Sequence, residues 1–90
     1  MYYVYVLYNI KRDNYYIGYS SNLRQRIKYH KQKDSNWVLV YYEAYTSKND
    51  AFAREKKLKN YGSSWAHLKR RIKESVSLGK GGGSSEPKPR

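Results

Sequence analysis

YYIGYSSNLRQRIKYH, residues 15–30, is the stretch on which the reading of this chain turns. Its first five residues are aromatic and β-branched and read as a strand, in which Tyr16 and Gly18 share one face. Ser20, Ser21 or Asn22 then supplies a side-chain oxygen to cap a helix over roughly 22–31. Leu23, Ile27 and His30 mark the apolar stripe of that helix, with Arg26 beside it. Arg26 and His30 lie four residues apart and project side by side. The planar fork of arginine suits a phosphate gripped at two points, and a histidine there could carry a proton near neutral pH. The same pair also fits a solvated arginine beside a packed, hydrogen-bonded histidine.

Working outward, YYVYVLY (2–8) reads as a strand, NIKRDN (9–14) as a turn and 15–19 as the returning strand, so the chain opens with a β-hairpin. After the helix, KQKDSN (31–36) is a short polar connection, and WVLVYYEAY (37–45) is the strand of greatest apolar content, expected at the centre of the sheet. Ser47 and Asp50 resemble a capping box for a helix running to about Tyr61, with Gly62 as its stop. Trp65, Leu68 and Ile72 sit at helical spacing in a third helix over about 64–74. LGKGGGSSEPKPR, from Leu78, has the composition of a flexible tail. One domain over residues 1–76 and a tail over 77–90 are therefore expected.

Ninety residues suffice for one domain with a thin core. Apolar content is only 39%, yet there are twelve tyrosines, which can build a core and leave hydroxyls at its rim. Nineteen Lys and Arg against seven Asp and Glu give a net charge of +12, the footprint of a polyanion partner. Cysteine is absent, which excludes disulfide frameworks and thiolate zinc sites. With no secretory h-region and no long apolar run, an intracellular, cytoplasmic protein without membrane association is expected.

Two further features bear on chemistry. Glu55 falls on the helix side defined by Ala51 and Leu58, and a carboxylate on an apolar stripe is costly unless paired or bound to a cation. A rim glutamate paired with a basic neighbour fits equally well. Tyr5 and Tyr16 lie on adjacent hairpin strands, although in a chain this rich in tyrosine two such residues have structural roles by default.

Taken together, YVY at 3–5, YIG at 16–18, Arg26, His30 and the helical Glu55 in AREKKLK make a chain that resembles the GIY-YIG nuclease family, in particular its small stand-alone members related to the nuclease domain of the repair protein UvrC. The match covers about residues 2–73. It implies an α/β (α+β) fold: a three-stranded antiparallel sheet with three helices around it. It also implies metal-assisted hydrolysis of DNA phosphodiesters, in repair or recombination, by Tyr5, Tyr16, Arg26, His30 and Glu55. Glu55 would hold Mg²⁺ or Mn²⁺, since magnesium needs few protein ligands when phosphate and water complete its octahedron. Arg26, nearby lysines and the metal are expected to favour a Tyr5 phenolate as base, with His30 as the rival. Lys11, Arg12, Lys28 and Lys31 are expected to follow the DNA backbone without reading bases. The resemblance leaves RNA open as a partner and suggests a monomer or weak dimer. The chain departs from the pattern in its YVY tripeptide, in a short connection after His30 and in lacking a late asparagine. A non-catalytic nucleic-acid-binding module that keeps the fold is the alternative, and a ribosome-associated protein a third reading.

Overall fold

The computed structural model describes residues 1–81. Strand β1 (Tyr2–Asn9) turns into β2 (Asn14–Ser20), α1 (Leu23–Lys33) follows, then β3 (Trp37–Tyr45), α2 (Lys48–Asn60), α3 (Gly62–Arg71) and α4 (Lys73–Gly81). The sheet is antiparallel with order β2-β1-β3, so the first strand is central and β3 is an edge. This corrects the expected centre. Val4 to Asn9 are all buried, whereas β3 alternates from Tyr41 onward between half-buried and exposed side chains. High apolar content in β3 serves one covered face and does not require a neighbour on both sides. A bulge at Val6/Leu7 lets Val40 and Tyr41 both reach the core.

The two faces of the sheet have separate tasks. Val4, Val6 and Tyr8 point to one side and close a core with Ala51 and Leu58 of α2, Leu68 and Ile72 of α3 and its boundary, and Val76 of α4. Tyr3, Tyr5 and Leu7 point to the other side, where their register partners include Gly18, Tyr16 and Tyr42, and where α1 packs with Leu23, Ile27 and His30 half-buried. Alternation along β1 thus separates a helix-covered core from a tyrosine-lined face.

Local chemistry sets the helix ends. Asn22 caps α1 by accepting from the Gln25 amide at 3.1 Å, and Ser47 caps α2 by accepting from the Asp50 amide at 3.2 Å. Gly62 does not stop α2; Tyr61 takes the boundary position and Gly62 opens α3. Four helices surround the sheet where three were expected, because the 64–74 segment breaks at Ile72 and a fourth helix carries residues 77–81, read from sequence as the start of the tail. The rest of that expected tail, 82–90, lies outside the described residues.

The hairpin turn is tied to the α1–β3 connection. Buried Asn9 accepts from the Lys11 and Arg12 amides at 3.1 and 2.9 Å and donates to Asp34 at 2.9 Å, while Asp34 accepts from the Asn36 amide at 2.9 Å. The Asn36 backbone and then Asn9 hold the Asp34 carboxyl below its ordinary range. Asp13, at φ 55°, takes the left-handed residue of the turn and accepts from the Tyr8 hydroxyl. A second polar cluster joins β3 to α2: Glu43 accepts from Arg54 at 3.0 and 3.2 Å, from the Tyr41 hydroxyl at 2.6 Å and from the Tyr45 hydroxyl. Burial alone would raise the Glu43 carboxyl, but the Arg54 hydrogen bonds, with those of the two tyrosines, hold it below the usual range.

Candidate active site

Tyr5 is the centre of the tyrosine-lined face and is only 1% exposed. It pairs directly with Gly18 across the hairpin, and its ring lies over that glycine. A Cβ at position 18 would stand 2.4 Å from Tyr5 Cζ and from its hydroxyl, and 2.8 Å from Tyr16 Cε2. The glycine of YIG is therefore the floor on which the Tyr5 phenol rests. No side chain fits there.

His30, presented by the third turn of α1, closes the other side. Its Nε2 lies 3.0 Å from the Tyr5 hydroxyl, and its ring is 5.9 Å from the Tyr5 ring and 4.6 Å from that of Tyr16. Burial, and then the Arg26 guanidinium, lower the His30 pKa, so the ring is neutral at pH 7 and Nε2 accepts the phenolic proton. Burial first, then the neighbouring Tyr16 phenol, push the Tyr5 hydroxyl well above the ordinary tyrosine value; Arg26 opposes this and Glu55 adds to it. The expectation that cationic neighbours would favour a Tyr5 phenolate is corrected among the chain's own groups, because desolvation of the anion outweighs the attraction of Arg26.

That electrostatic balance also locates the two charged residues. Arg26 on α1 and Glu55 on α2 act on the same phenol in opposite senses, although their helices pack on opposite faces of the sheet. Arg26 is exposed, lies 5.6 Å from the Tyr29 ring centroid and makes no ion pair among the described residues. It lines a cleft of about 330 Å³ with Ser20, Asn22 and Tyr29. The Glu55 side chain is 13% exposed and meets Lys59, one turn on, at 3.2 Å. Tyr16 is partly exposed at the cleft edge, its ring 6.3 Å from that of Trp37. All five expected side chains thus belong to one neighbourhood.

The expected backbone contacts divide. Lys11, Lys28 and Lys31 are exposed, but Arg12 is engaged by Asp34 at 3.4 Å and lies over the Trp37 ring at 5.5 Å. Three neighbours went unremarked in the sequence: Tyr29, Trp37 and Lys59. Spacing alone signals two of them, Tyr29 at i+3 from Arg26 and Lys59 at i+4 from Glu55.

No three His, Asp or Glu side chains gather into a metal cluster among the described residues. A lone hard carboxylate at a cleft edge nevertheless fits magnesium, which keeps several waters and takes phosphate oxygens as ligands. Glu55 is such a donor, provided the exposed Lys59 ammonium swings away.

A small α+β domain with a tyrosine, histidine, arginine and glutamate around one cleft defines a class of phosphodiester-cleaving proteins. The chain belongs to the GIY-YIG nuclease family: residues 1–67 match the model of the GIY-YIG catalytic domain. It is 33% identical to a UPF0213 protein of Bacillus halodurans known from a solution NMR structure, with a TM-score of 0.46, covering 91% of this chain and 88% of that one. No curated protein sequence matches.

Proposed function

We propose that the chain is a divalent-metal-dependent endonuclease that hydrolyses DNA phosphodiesters, acting on branched, nicked or single-stranded DNA in repair or recombination. The observation that carries this reading is the Tyr5 hydroxyl held 3.0 Å from a neutral His30, with Arg26 and Glu55 both acting on that phenol.

Arg26 binds the scissile phosphate and offsets charge that builds on it, help that counts most when preorganised. Tyr5, too costly to ionise beforehand, relays a proton: its oxygen takes one from the attacking water as its own passes to His30 Nε2. The new P–O bond forms as the bond to the leaving sugar oxygen breaks, and the imidazolium later returns its proton to solvent. Tyr16 orients water or phosphate at the cleft edge. Held by Glu55, a Mg²⁺ ion supplies Lewis-acid polarisation of the phosphate and steadies the leaving oxygen. Lys11, Lys28 and Lys31 follow the backbone without reading bases.

Plasmid nicking with Mg²⁺ or Mn²⁺ tests this directly. Glu55→Ala and Arg26→Ala should abolish cleavage while DNA binding persists. Tight binding with no cleavage across many DNA forms would instead support a non-catalytic module. That second reading draws on the brevity of the α1–β3 connection, in which only Asp34 to Asn36 separate the two elements.

A further inference from the structure

The opposite side of the molecule carries a second concentration of charge. The last two helices hold five Lys and Arg and one acid, Glu74, and their cations recur at helical spacing. Lys69, Arg70, Lys73 and Lys80 line a cavity of about 490 Å³ whose floor is Tyr15 and Val76, and no acid lines it. Tyr15 faces away from Tyr16 along β2, so this cavity and the Tyr5 cleft open on opposite faces of the sheet. Lys69 stands 5.2 Å from the Tyr15 ring centroid and Lys80 lies 5.5 Å from that of Tyr8.

Lysines and arginines crowded at i, i+4 spacing repel one another, and solvated helix faces relieve this by mixing signs. Here the relief is small. Lys80 meets Asp13 at 4.0 Å, but Lys69, Arg70 and Lys73 make no ion pair among the described residues. Arg70 is held by His67 Nδ1 at 2.8 Å. The remaining chain, residues 82–90, has Lys88 and Arg90 against Glu86 and is itself basic, so it does not complement the cavity.

We propose that this α3–α4 face binds the phosphate backbone of a second nucleic-acid arm while the Tyr5 cleft holds the arm to be cut. The inference rests on the nuclease reading for the identity of the substrate. It deepens that reading by requiring DNA that reaches both faces of the sheet, as a branched molecule does and a short straight duplex does not.

The test measures binding alone, in metal-free buffer, so that it stands whether or not the chain cuts. Fluorescence anisotropy over a salt series compares the full chain with Lys69→Gln/Arg70→Gln/Lys73→Gln on a labelled three-way DNA junction and on a short linear duplex. All three side chains are exposed, and an unchanged thermal transition verifies folding. Each phosphate contact contributes about 0.9 to the slope of log K against log salt, so the junction slope should fall by about 2 while the duplex slope stays. Lys69→Arg/Lys73→Arg should keep the wild-type slope. An unchanged junction slope, or an equal fall on both probes, would overturn the proposal. So would tripolyphosphate binding that the triple variant loses without any change on the junction, which would make the face a small-anion site. Loss of nicking in Glu55→Ala beside an unmoved junction slope would reject the second arm and leave the nuclease reading standing.

Discussion

Gly18 and Tyr5 show how one missing side chain sets the site. Gly18→Ala places a methyl 2.4 Å from the Tyr5 ring, which His30 hems in from the other side. The variant should lose about 1–3 kcal/mol by overpacking, read by urea denaturation, and nicking should fall at least about tenfold as the phenol is displaced. The proton relay has its own signature. A neutral His30 with a lowered pKa must stay unprotonated to accept, so the rate should fall as pH drops below the ordinary histidine value of about 6.5 and be level above it. A rate that climbs with pH toward the tyrosine range in wild type, with His30→Ala retaining activity, would instead make a Tyr5 phenolate the base. Lys59 competes with the metal proposed at Glu55. A half-exposed i,i+4 pair is weak, so Lys59→Gln should lower the Mg²⁺ concentration for half-maximal nicking by no more than about fivefold.

Among the elements, β3 is the one held by polar clamps. As an edge strand it depends on what covers it, and Glu43–Arg54 fixes its core face to α2. Arg54→Ala leaves a mostly buried carboxylate without its guanidinium and should cost about 2–3 kcal/mol at pH 7. The folded Glu43 pKa is depressed, so its contribution is present above the unfolded value and is lost as pH falls through the folded one. Denaturation curves of wild type and Arg54→Ala should therefore converge on acidification. The Asn9–Asp34–Asn36 bonds do comparable work at the other end of the strand, joining two loops that sequence alone presents as unrelated polar connections.

At the scale of the whole molecule, one sheet separates two chemistries. One face carries the phenol, imidazole and guanidinium, and the other a helical core whose outer surface is basic. No helix among the described residues is long and apolar enough to cross a membrane. With a net charge of +12, DNA affinity should fall steeply with salt, by about 10³-fold or more between 50 and 200 mM if six or more phosphates are contacted. A flat response in the same anisotropy titration would argue against phosphate contacts altogether.

The sequence by itself determined the order of the first six elements, the capped starts of α1 and α2, the basic surface, and the identity of the side chains that meet. Each of these is written locally, in period-2 and period-3.6 spacing, in an Asn or Ser before a helix, or in a family pattern carried by single residues. Only the tertiary structure decided that β1 and not β3 is central, that the 64–74 segment breaks into two helices, and that Tyr5 is protonated beside a neutral His30. Strand order, helix breaks and the balance of desolvation against charge all depend on what packs against a residue from distant parts of the chain. Those long-range contacts have no local period to read.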